Sequence, residues 1–396
     1  MANTCVSPTI TIHRYDAGGS LQEAYTQAPS QTREMNCRMM RVGGCWDATI
    51  NVYRKIGEIG NLQLGDQIII SYNGTTLWRG WVDSYDSKDN DLVICCVGAW
   101  KALKSVYPDN ARYGYEADSA EADEENEYSD IDTCGTIIQS LISTHLATSS
   151  ITVDPDENNV VDDGITVYVA DFDGNTDLLT ICADLAMRAG NWSVGVDEDL
   201  VFYFTNPPGA WLLDEEGEPI EELQSPYDSV DFKACHVSAY QITDMAQMDS
   251  AAWSDTPTSV VIKGAGGYEE TFDRDWLGYD KIQIAGITII NQQVITLPHI
   301  GPTEESTYTT QHTGTTMGDV VSVDAARYVD EFFFKLNKLR FRLECQNLNQ
   351  RVYPWTEYAK VWDVDNSYRG EFVIDMVEYE STDNNISIKA MEISEL

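Results

Sequence analysis

The sequence has few basic residues and no long apolar run. Among 396 residues, 25 are Lys or Arg and 65 are Asp or Glu, so the formal net charge is −40. The apolar runs are short, such as Ile68, Ile69 and Ile70, whereas a membrane-spanning helix needs roughly 18 apolar residues. Residues 1–8 lack the basic start and apolar stretch of a signal peptide. The sequence therefore predicts no membrane span and a protein that is made in the cytosol.

The excess of acidic residues excludes a DNA-binding surface. Duplex DNA is held mainly by Lys and Arg side chains that neutralise phosphates, and this chain has too few of them. We expect no stable binding of nucleic acid. Two interpretations of the charge stay open, namely a surface past which DNA must slide without sticking and an adaptation to a saline habitat.

The cysteines do not form a pattern typical of disulfides or zinc sites. Nine cysteines are an odd number, and no Cys-x-x-Cys motif is present. We expect them to act as small buried hydrophobic residues. Cys95 and Cys96 are neighbours in a predicted strand, so their side chains should point to opposite faces of the sheet.

Catalytic motifs are also missing. The histidines are scattered and belong to no His-Glu-x-x-His motif, and neither Gly-x-Ser-x-Gly nor a phosphate-binding glycine loop occurs. The sequence predicts a protein that is not an enzyme, with no catalytic residue, no cofactor and no metal. The five histidines are His13, His145, His236, His299 and His312.

One segment resembles the start of a calcium loop. Residues 171–177 place oxygen-bearing side chains at alternating positions, but a helix-loop-helix calcium site needs Gly at its sixth position and Glu at its twelfth. Those positions hold Thr176 and Cys182. The sequence favours a turn followed by a helix, with Asn175 or Thr176 as the N-cap.

The pattern of apolar residues predicts a mainly β protein with an α+β insertion. Five short strands separated by turn residues are predicted between residue 9 and about 100, at 9–12, 48–52, 67–72, 77–82 and 92–97, and strands return after about 229. Residues 132–146 and 176–189 have helical spacing. An acidic stretch at 109–130 indicates a boundary or an exposed loop. Residues 281–290 are predicted as a strand, 301–318 as a Thr-rich loop, and 324–338 as a third helix. The predicted domains are a first β-barrel (1–107), the insertion (108–228), a second β-barrel (229–270 with 320–396) and a β-rich or loop insertion (271–319).

A segment near the start returns at the end of the chain. Residues 85–94 align with residues 379–388 with five identities in ten, and an aromatic-Arg-Gly triplet precedes each segment, at 78–80 and at 368–370. Asp, Asn and Ser recur in unrelated turns for local reasons, but the ordered match extends beyond a turn. We therefore predict two copies of one β unit that superpose strand for strand, with Tyr85 over Tyr379 and Gly80 over Gly370.

Eight motifs along the chain form a recognisable series. They are Gly43-Gly44-Cys45-Trp46, Leu64-Gly65-Asp66, the triplet at 78–80, the hairpin into residues 92–99, Gly174-Asn175-Thr176 with Leu178-Leu179, Trp192-Ser193-Val194, Ala325-Ala326, and the strands of 341–393. The series resembles the hub proteins of tailed-phage baseplates, a family that includes late-control hub proteins and the hub part of type VI secretion spikes. The first four motifs resemble that family's opening barrel, the next two its middle helical domain, and the last two its closing barrel.

The resemblance implies a structural virion protein at the tail tip or baseplate, assembled in the host cytoplasm. It implies a homotrimer in which each chain gives two tail-tube-like β-barrels, so that six barrels form a ring. Such a ring adapts a three-fold tip or spike to a six-fold tail tube, seeds tube assembly and leaves a channel for DNA. The implied partners are the tail tube or a distal tail protein above, and a spike, fibre or tape-measure protein below or inside.

Three alternatives stay open. A hexameric distal tail protein would carry one tube-like domain beside a separate sandwich. A carbohydrate-binding tail-tip protein would gather several of the ten Trp residues in one exposed groove. A soluble hydrolase would need a catalytic constellation, and the sequence contains none that we recognise.

Overall fold

The computed structural model extends from Thr9 to Ile393 with gaps. The first eight residues, most of the acidic stretch predicted as a boundary, and the predicted boundary near 228 lie outside the described residues. The described residues are 9–15, 20–27, 32–53, 62–72, 74–88, 91–114, 133–147, 149–152, 159–161, 167–168, 170–190, 192–206, 233–238, 241–247, 257–281, 283–284, 287–288, 290–303, 306–310, 313–337, 341–346, 351–363, 368–381 and 385–393.

The first repeat is a run of antiparallel strands. Buried and more exposed residues alternate along β3, β4 and β7, which places one face of each strand in the core. The five predicted strands fall within β1, β4, β5, β6 and β7, whereas β2 and β3 were not predicted. The strands are β1 (Thr9–Tyr15), β2 (Leu21–Gln27), β3 (Thr32–Met40), β4 (Val42–Tyr53), β5 (Gln67–Tyr72), β6 (Thr75–Lys88) and β7 (Asp91–Gly98).

The insertion combines short helices and strands around its own apolar core. Both predicted helices are confirmed with narrower bounds, and α2 begins with a capping box in which Thr133 and Thr136 satisfy each other's backbone amides. Its elements are α1 (Trp100–Leu103), β8 (Asp109–Tyr113), α2 (Cys134–His145), β9 (Ala170–Asp173), α3 (Leu178–Arg188), β10 (Ser193–Val196) and β11 (Phe202–Thr205).

The second repeat is interrupted by a third core. Its strands are β12 (Lys233–Ser238) and β13 (Ile242–Gln247), followed after the interruption by β21 (Phe341–Cys345), β22 (Glu357–Asp363), β23 (Tyr368–Glu380) and β24 (Asn385–Ile393). Between them lie β14 (Ser259–Lys263), β15 (Glu269–Asp273), β16 (Gln283–Ile284), β17 (Ile287–Thr288), β18 (Gln292–Thr296), β19 (Ser306–Thr309), β20 (Thr316–Val320) and α4 (Val323–Asn337), with a 3-10 turn at Ala265–Gly267.

Two predictions for this interrupting region need correction. The Thr-rich stretch is a hairpin of β19 and β20, because Thr side chains fit a pleated strand as well as a turn. The predicted strand at 281–290 is reduced to the short pair β16 and β17. Strands β14 and β15 pack with α4 in the third core and pair outside the large sheet, which favours grouping 259–337 as one unit.

The two repeats share a pairing order. In the first repeat β3, β4, β7, β6 and β5 are successive neighbours, and in the second β13, β21, β24, β23 and β22 follow the same order. Each long hairpin strand carries a bulge at the same place, at Asp83 in β6 and at Asp375 in β23. An internal repeat of one β unit is therefore present in the structure.

The predicted alignment of the two copies is correct in one strand and wrong by two residues in the other. Counted from the bulges, Ile94 is equivalent to Ile388, as predicted, but Tyr379 is equivalent to Ser87 and not to Tyr85. The cause is the hairpin loop, which is two residues longer in the second copy (381–384 against 89–90). By the same register Gly370 lies over Trp78.

The copies also differ at their first strand. β1 pairs with β5 in the antiparallel direction, whereas β12 pairs with β22 in the parallel direction. Superposition strand for strand is therefore wrong at this position. The large sheet contains both repeats, and one hydrophobic core takes side chains from both.

Candidate functional site

The junction between the two repeats is an antiparallel strand pair. β3 of the first repeat lies against β23 of the second, with Cys37 opposite Tyr379 and Met40 opposite Met376. Just past the pair, the Ser381 backbone amide donates to the Met35 carbonyl over 2.8 Å, and the Met35 amide donates to Ser381 Oγ over 2.8 Å. The repeats are therefore joined by the backbone hydrogen bonds of a continuous sheet.

Buried side chains cover the inner face of this junction. Cys37 and Tyr379 are 0% and 1% exposed, and the Tyr379 ring makes an edge contact with Tyr72, with ring centroids 5.9 Å apart. Burial, with smaller contributions from Asp47 and Glu378, raises the pKa of the Cys37 thiol far above its usual range. Cys37 is therefore a neutral core residue at the junction, as expected for the cysteines of this chain.

Arg41 connects the junction to the insertion. Its Nε donates to Asp375 Oδ1 over 3.1 Å and its Nη1 donates to the Trp192 carbonyl over 3.1 Å, while its backbone amide donates to the Asp375 carbonyl over 3.0 Å. The side chain is almost fully buried. Because Asp375 is the bulge residue of β23, one buried cation holds the bulge and the insertion together.

The insertion adds a strand to the same sheet. β10 pairs in parallel with β4, with Gly195 opposite Gly43 and Val196 opposite Gly44. A Cβ at Gly44 would overlap the Val196 carbonyl, and Gly44 has a φ of +83°. Glycine is therefore required here for close approach of the two backbones.

Aromatic side chains pack where the insertion meets the second repeat. Tyr203 stacks on Trp355 with centroids 5.4 Å apart, and its hydroxyl donates to the Arg41 carbonyl over 2.9 Å. Tyr353 lies against Trp355 and donates to the Thr76 carbonyl over 2.6 Å. These contacts join the insertion and both repeats into one unit.

Two acidic side chains in this region, Asp197 and Glu198, have raised pKa values. Burial raises the pKa of Asp197 to about 6, and burial followed by repulsion from Asp197 raises the pKa of Glu198 to about 8. Asp197 Oδ1 accepts from the backbone amides of Asp199 and Val201, both over 2.8 Å, which stabilises its turn. The pair is a structural turn beside the aromatic cluster.

The segment that resembled a calcium loop caps a helix. Asp177 is the N-cap of α3, and its Oδ1 accepts from the Thr180 amide over 3.0 Å. The cap therefore lies one residue after Thr176 and two after Asn175, the two predicted caps. Within the described residues, no group of three or more His, Cys, Asp or Glu side chains could hold a metal ion.

Two further observations concern the cysteines and the helices. Cys95 is exposed and Cys96 is buried, which confirms that their side chains point to opposite faces. The expectation that the cysteines are buried is wrong for Cys95, because it lies on the outer face of β7. The helices of the described ranges include none that is both long and apolar enough to cross a membrane. The absence of catalytic and cofactor-binding residues stays a prediction.

Sequence reasoning missed β3, the strand that makes the junction. The signal was present, since Met35, Cys37 and Met39 alternate with polar residues and are the buried positions of the strand. The polar residues between them, including Asn36 and Arg38, obscured a strand that is also rich in methionine. Asn36 Nδ2 donates to Glu378 Oε1 over 2.6 Å across the junction.

Neither protein-family models nor curated proteins give a match to this chain. Solved structures do match. A tail protein from Neisseria meningitidis MC58 aligns with 98% of this chain and 97% of its own, with 9% identity and a TM-score of 0.55. The 43 kDa tail protein of prophage MuSo2 from Shewanella oneidensis aligns over 98% of both chains, with 11% identity and a TM-score of 0.52.

A third solved structure agrees with these two. Prophage tail protein gp18 from Listeria monocytogenes EGD-e aligns with 97% of this chain and 94% of its own, with 11% identity and a TM-score of 0.50. At 9–11% sequence identity, the similarity shows a shared fold and nothing more. The chain therefore has a fold also found in phage tail proteins, and the mainly β architecture expected from the sequence is confirmed.

Proposed function

We propose that this chain is a structural protein of a phage tail, a trimeric hub at the tail tip or baseplate. One observation carries the proposal: a single chain contains two related β units joined side by side through β3 and β23. The likeness in fold to the tail proteins of prophage MuSo2 and of Listeria monocytogenes supports it.

A chain with two related units can reconcile two symmetries. Three chains around a three-fold axis would present six similar units, so one face of the ring fits a six-fold tail tube and the other a three-fold tip. We propose the tail tube or a distal tail protein as the partner above, and a spike, fibre or tape-measure protein below or inside. The ring would seed assembly of the tube by offering it six similar edges.

The charge of the chain suits a channel for DNA. A net charge of −40 repels phosphates, so DNA could pass through the ring without being retained. The role is structural, and we propose no catalytic activity. The acidic charge also fits a saline habitat.

The oligomeric state tests the proposal most directly. We expect light scattering on the purified protein to give the mass of three chains of 44.3 kDa each, about 133 kDa. Electron microscopy should show three-fold particles with six similar lobes around a central channel. A hexamer would contradict the hub assignment and favour a distal tail protein.

A further inference from the structure

The turn between β10 and β11 lies where the insertion meets both repeats. Tyr353 of the second repeat donates its hydroxyl hydrogen to the Thr76 carbonyl of β6 over 2.6 Å. The carboxyl group of Glu198, in the turn, hydrogen-bonds the same Tyr353 hydroxyl. One chain of hydrogen bonds therefore runs from the insertion through the second repeat to the first.

This chain of hydrogen bonds requires a proton on Glu198. A tyrosine hydroxyl has a single hydrogen to donate, and that of Tyr353 is directed at Thr76. The hydrogen bond between Tyr353 and Glu198 must then use a hydrogen of the carboxyl group, which only the protonated form has. An ionised Glu198 could accept from Tyr353 only if the hydroxyl turned away and left the Thr76 carbonyl without its donor.

The second carboxyl oxygen of Glu198 also favours the protonated form. Its Oε2 is buried and has no hydrogen-bond partner within the part of the chain that the structure describes. A buried oxygen without a donor is more costly on a charged carboxylate than on a neutral carboxyl group. Burial, followed by repulsion from Asp197, accordingly raises the pKa of Glu198 to about 8.

Charged groups from several elements surround Glu198. Asp197 in the same turn ionises at a lower pH, because burial raises its pKa only to about 6, and its charge then opposes ionisation of Glu198. Arg79 of β6 pairs with Asp199, with 3.6 Å between Nη2 and Oδ1, and among the described residues no cation forms an ion pair with Glu198. The titratable and charged groups that face this site are Asp197, Asp199, Arg79, Cys45 of β4, Tyr203 of β11, Tyr353 and Arg351.

We propose that the Glu198–Tyr353 contact is a pH-dependent switch, which holds the insertion on the second repeat while Glu198 carries a proton and releases the insertion when that proton is lost. On release the turn moves away from Tyr353 and the carboxylate reaches solvent, whereas β10 stays paired with β4. Leu200 in the same turn has a φ of +65°, a conformation that leucine disfavours, so contacts around the turn hold it in place. The switch goes beyond the proposed function, because it lies within one chain and does not depend on the number of chains.

Hydrogen exchange followed by mass spectrometry tests the switch. The backbone amides of Asp199 and Val201 donate to Asp197 within the turn, so their protection reports whether the turn is in place. Peptides that cover residues 197–202 are compared at pH 7 and pH 9, after correction for the intrinsic exchange rate, which rises with pH. With a pKa of about 8 for Glu198, the protection of the turn should fall about tenfold between these two pH values.

Two variants separate the switch from other effects of pH. Glu198→Gln cannot ionise and still has a hydrogen to donate to Tyr353, so its turn should be equally protected at pH 7 and pH 9. Tyr353→Phe removes the hydroxyl, so its turn should be equally unprotected at both pH values. Helix α2, in the same insertion, serves as the internal reference, and its protection in the wild type should not change.

Three results would overturn the switch. The first is a wild-type turn whose protection is the same at both pH values. The second is an equal fall in Glu198→Gln, because another group would then control the turn. The third is a fall of the same size in α2, which would indicate a general loss of stability and not the release of one contact.

Discussion

Cys37 and Tyr379 lie opposite each other across the strand pair that joins the two repeats, and both side chains are buried. Their positions show how the chain forms one core from two copies of a β unit.

The Tyr379 ring should contribute strongly to stability. Tyr379→Ala removes a buried aromatic ring and its edge contact with Tyr72, so we expect the free energy of unfolding to fall by about 3 to 5 kcal/mol. Tyr107→Ala, at a side chain that is 55% exposed, should change it by less than about 0.5 kcal/mol. Urea denaturation measures both. Equal midpoints for the two variants would contradict a shared core at the junction.

The ion pair of Asp66 and Arg14 should matter more than an exposed pair. Asp66 is buried and accepts from Arg14 Nε over 2.9 Å and from Arg14 Nη2 over 2.8 Å. Asp66→Asn should destabilise the protein by about 3 kcal/mol, because a partly buried cation loses its partner. Asp91→Asn, which breaks the more exposed pair with Arg33, should cost less than about 1 kcal/mol. Thermal unfolding would show the difference, and a reversed order would refute it.

Gly44 should not tolerate a side chain, because β4 and β10 pair there at close distance. Gly44→Ala places a Cβ against the Val196 carbonyl, whereas Gly65→Ala, at nearly the same φ (+84° against +83°), meets no atom within 4 Å. In both variants the left-handed backbone disfavours alanine, so the free energy of unfolding should fall by roughly 1 kcal/mol. Only Gly44→Ala should also separate the two strands. Hydrogen exchange at residues 194–196 should therefore accelerate in Gly44→Ala alone.

Glu198 should make stability depend on pH. Burial raises the pKa of its carboxyl from 4.5 to about 8, so between these values the folded protein binds more protons than the unfolded chain. The stabilising contribution is full below about pH 4.5 and is lost as the pH rises through 8. Glu198→Gln should flatten this part of the profile, whereas Asp280→Asn, at an exposed residue, should leave it unchanged. An identical profile for wild type and Glu198→Gln would contradict the prediction.

The assembled protein should not retain duplex DNA, even at low salt, where contacts to phosphates are strongest. Its charge of −40 opposes any such contact. A gel-shift experiment at low ionic strength, with a basic protein as a positive control, should show free DNA throughout. A salt-sensitive shift of the DNA would count against a channel through which DNA slides.

Local patterns in the sequence determined much of this protein. Apolar periodicity located β1, β4, β5, β6 and β7 and the helices α2, α3 and α4, because side-chain spacing within one element depends on that element alone. The alternating environments of Cys95 and Cys96 followed from the same rule. The repeat was visible too, since the return strands of both copies align as the sequence suggests.

Other features depended on contacts between residues far apart in the chain. The two-residue shift between Tyr85 and Tyr379 arises from the unequal lengths of the two hairpin loops, and strand pairing decides where such a difference is absorbed. β3 lies at the junction because it pairs with the edge of β23. No local pattern in the sequence encodes that pairing. Composition and periodicity thus determined which elements form, while pairing across the sheet decided which of them meet.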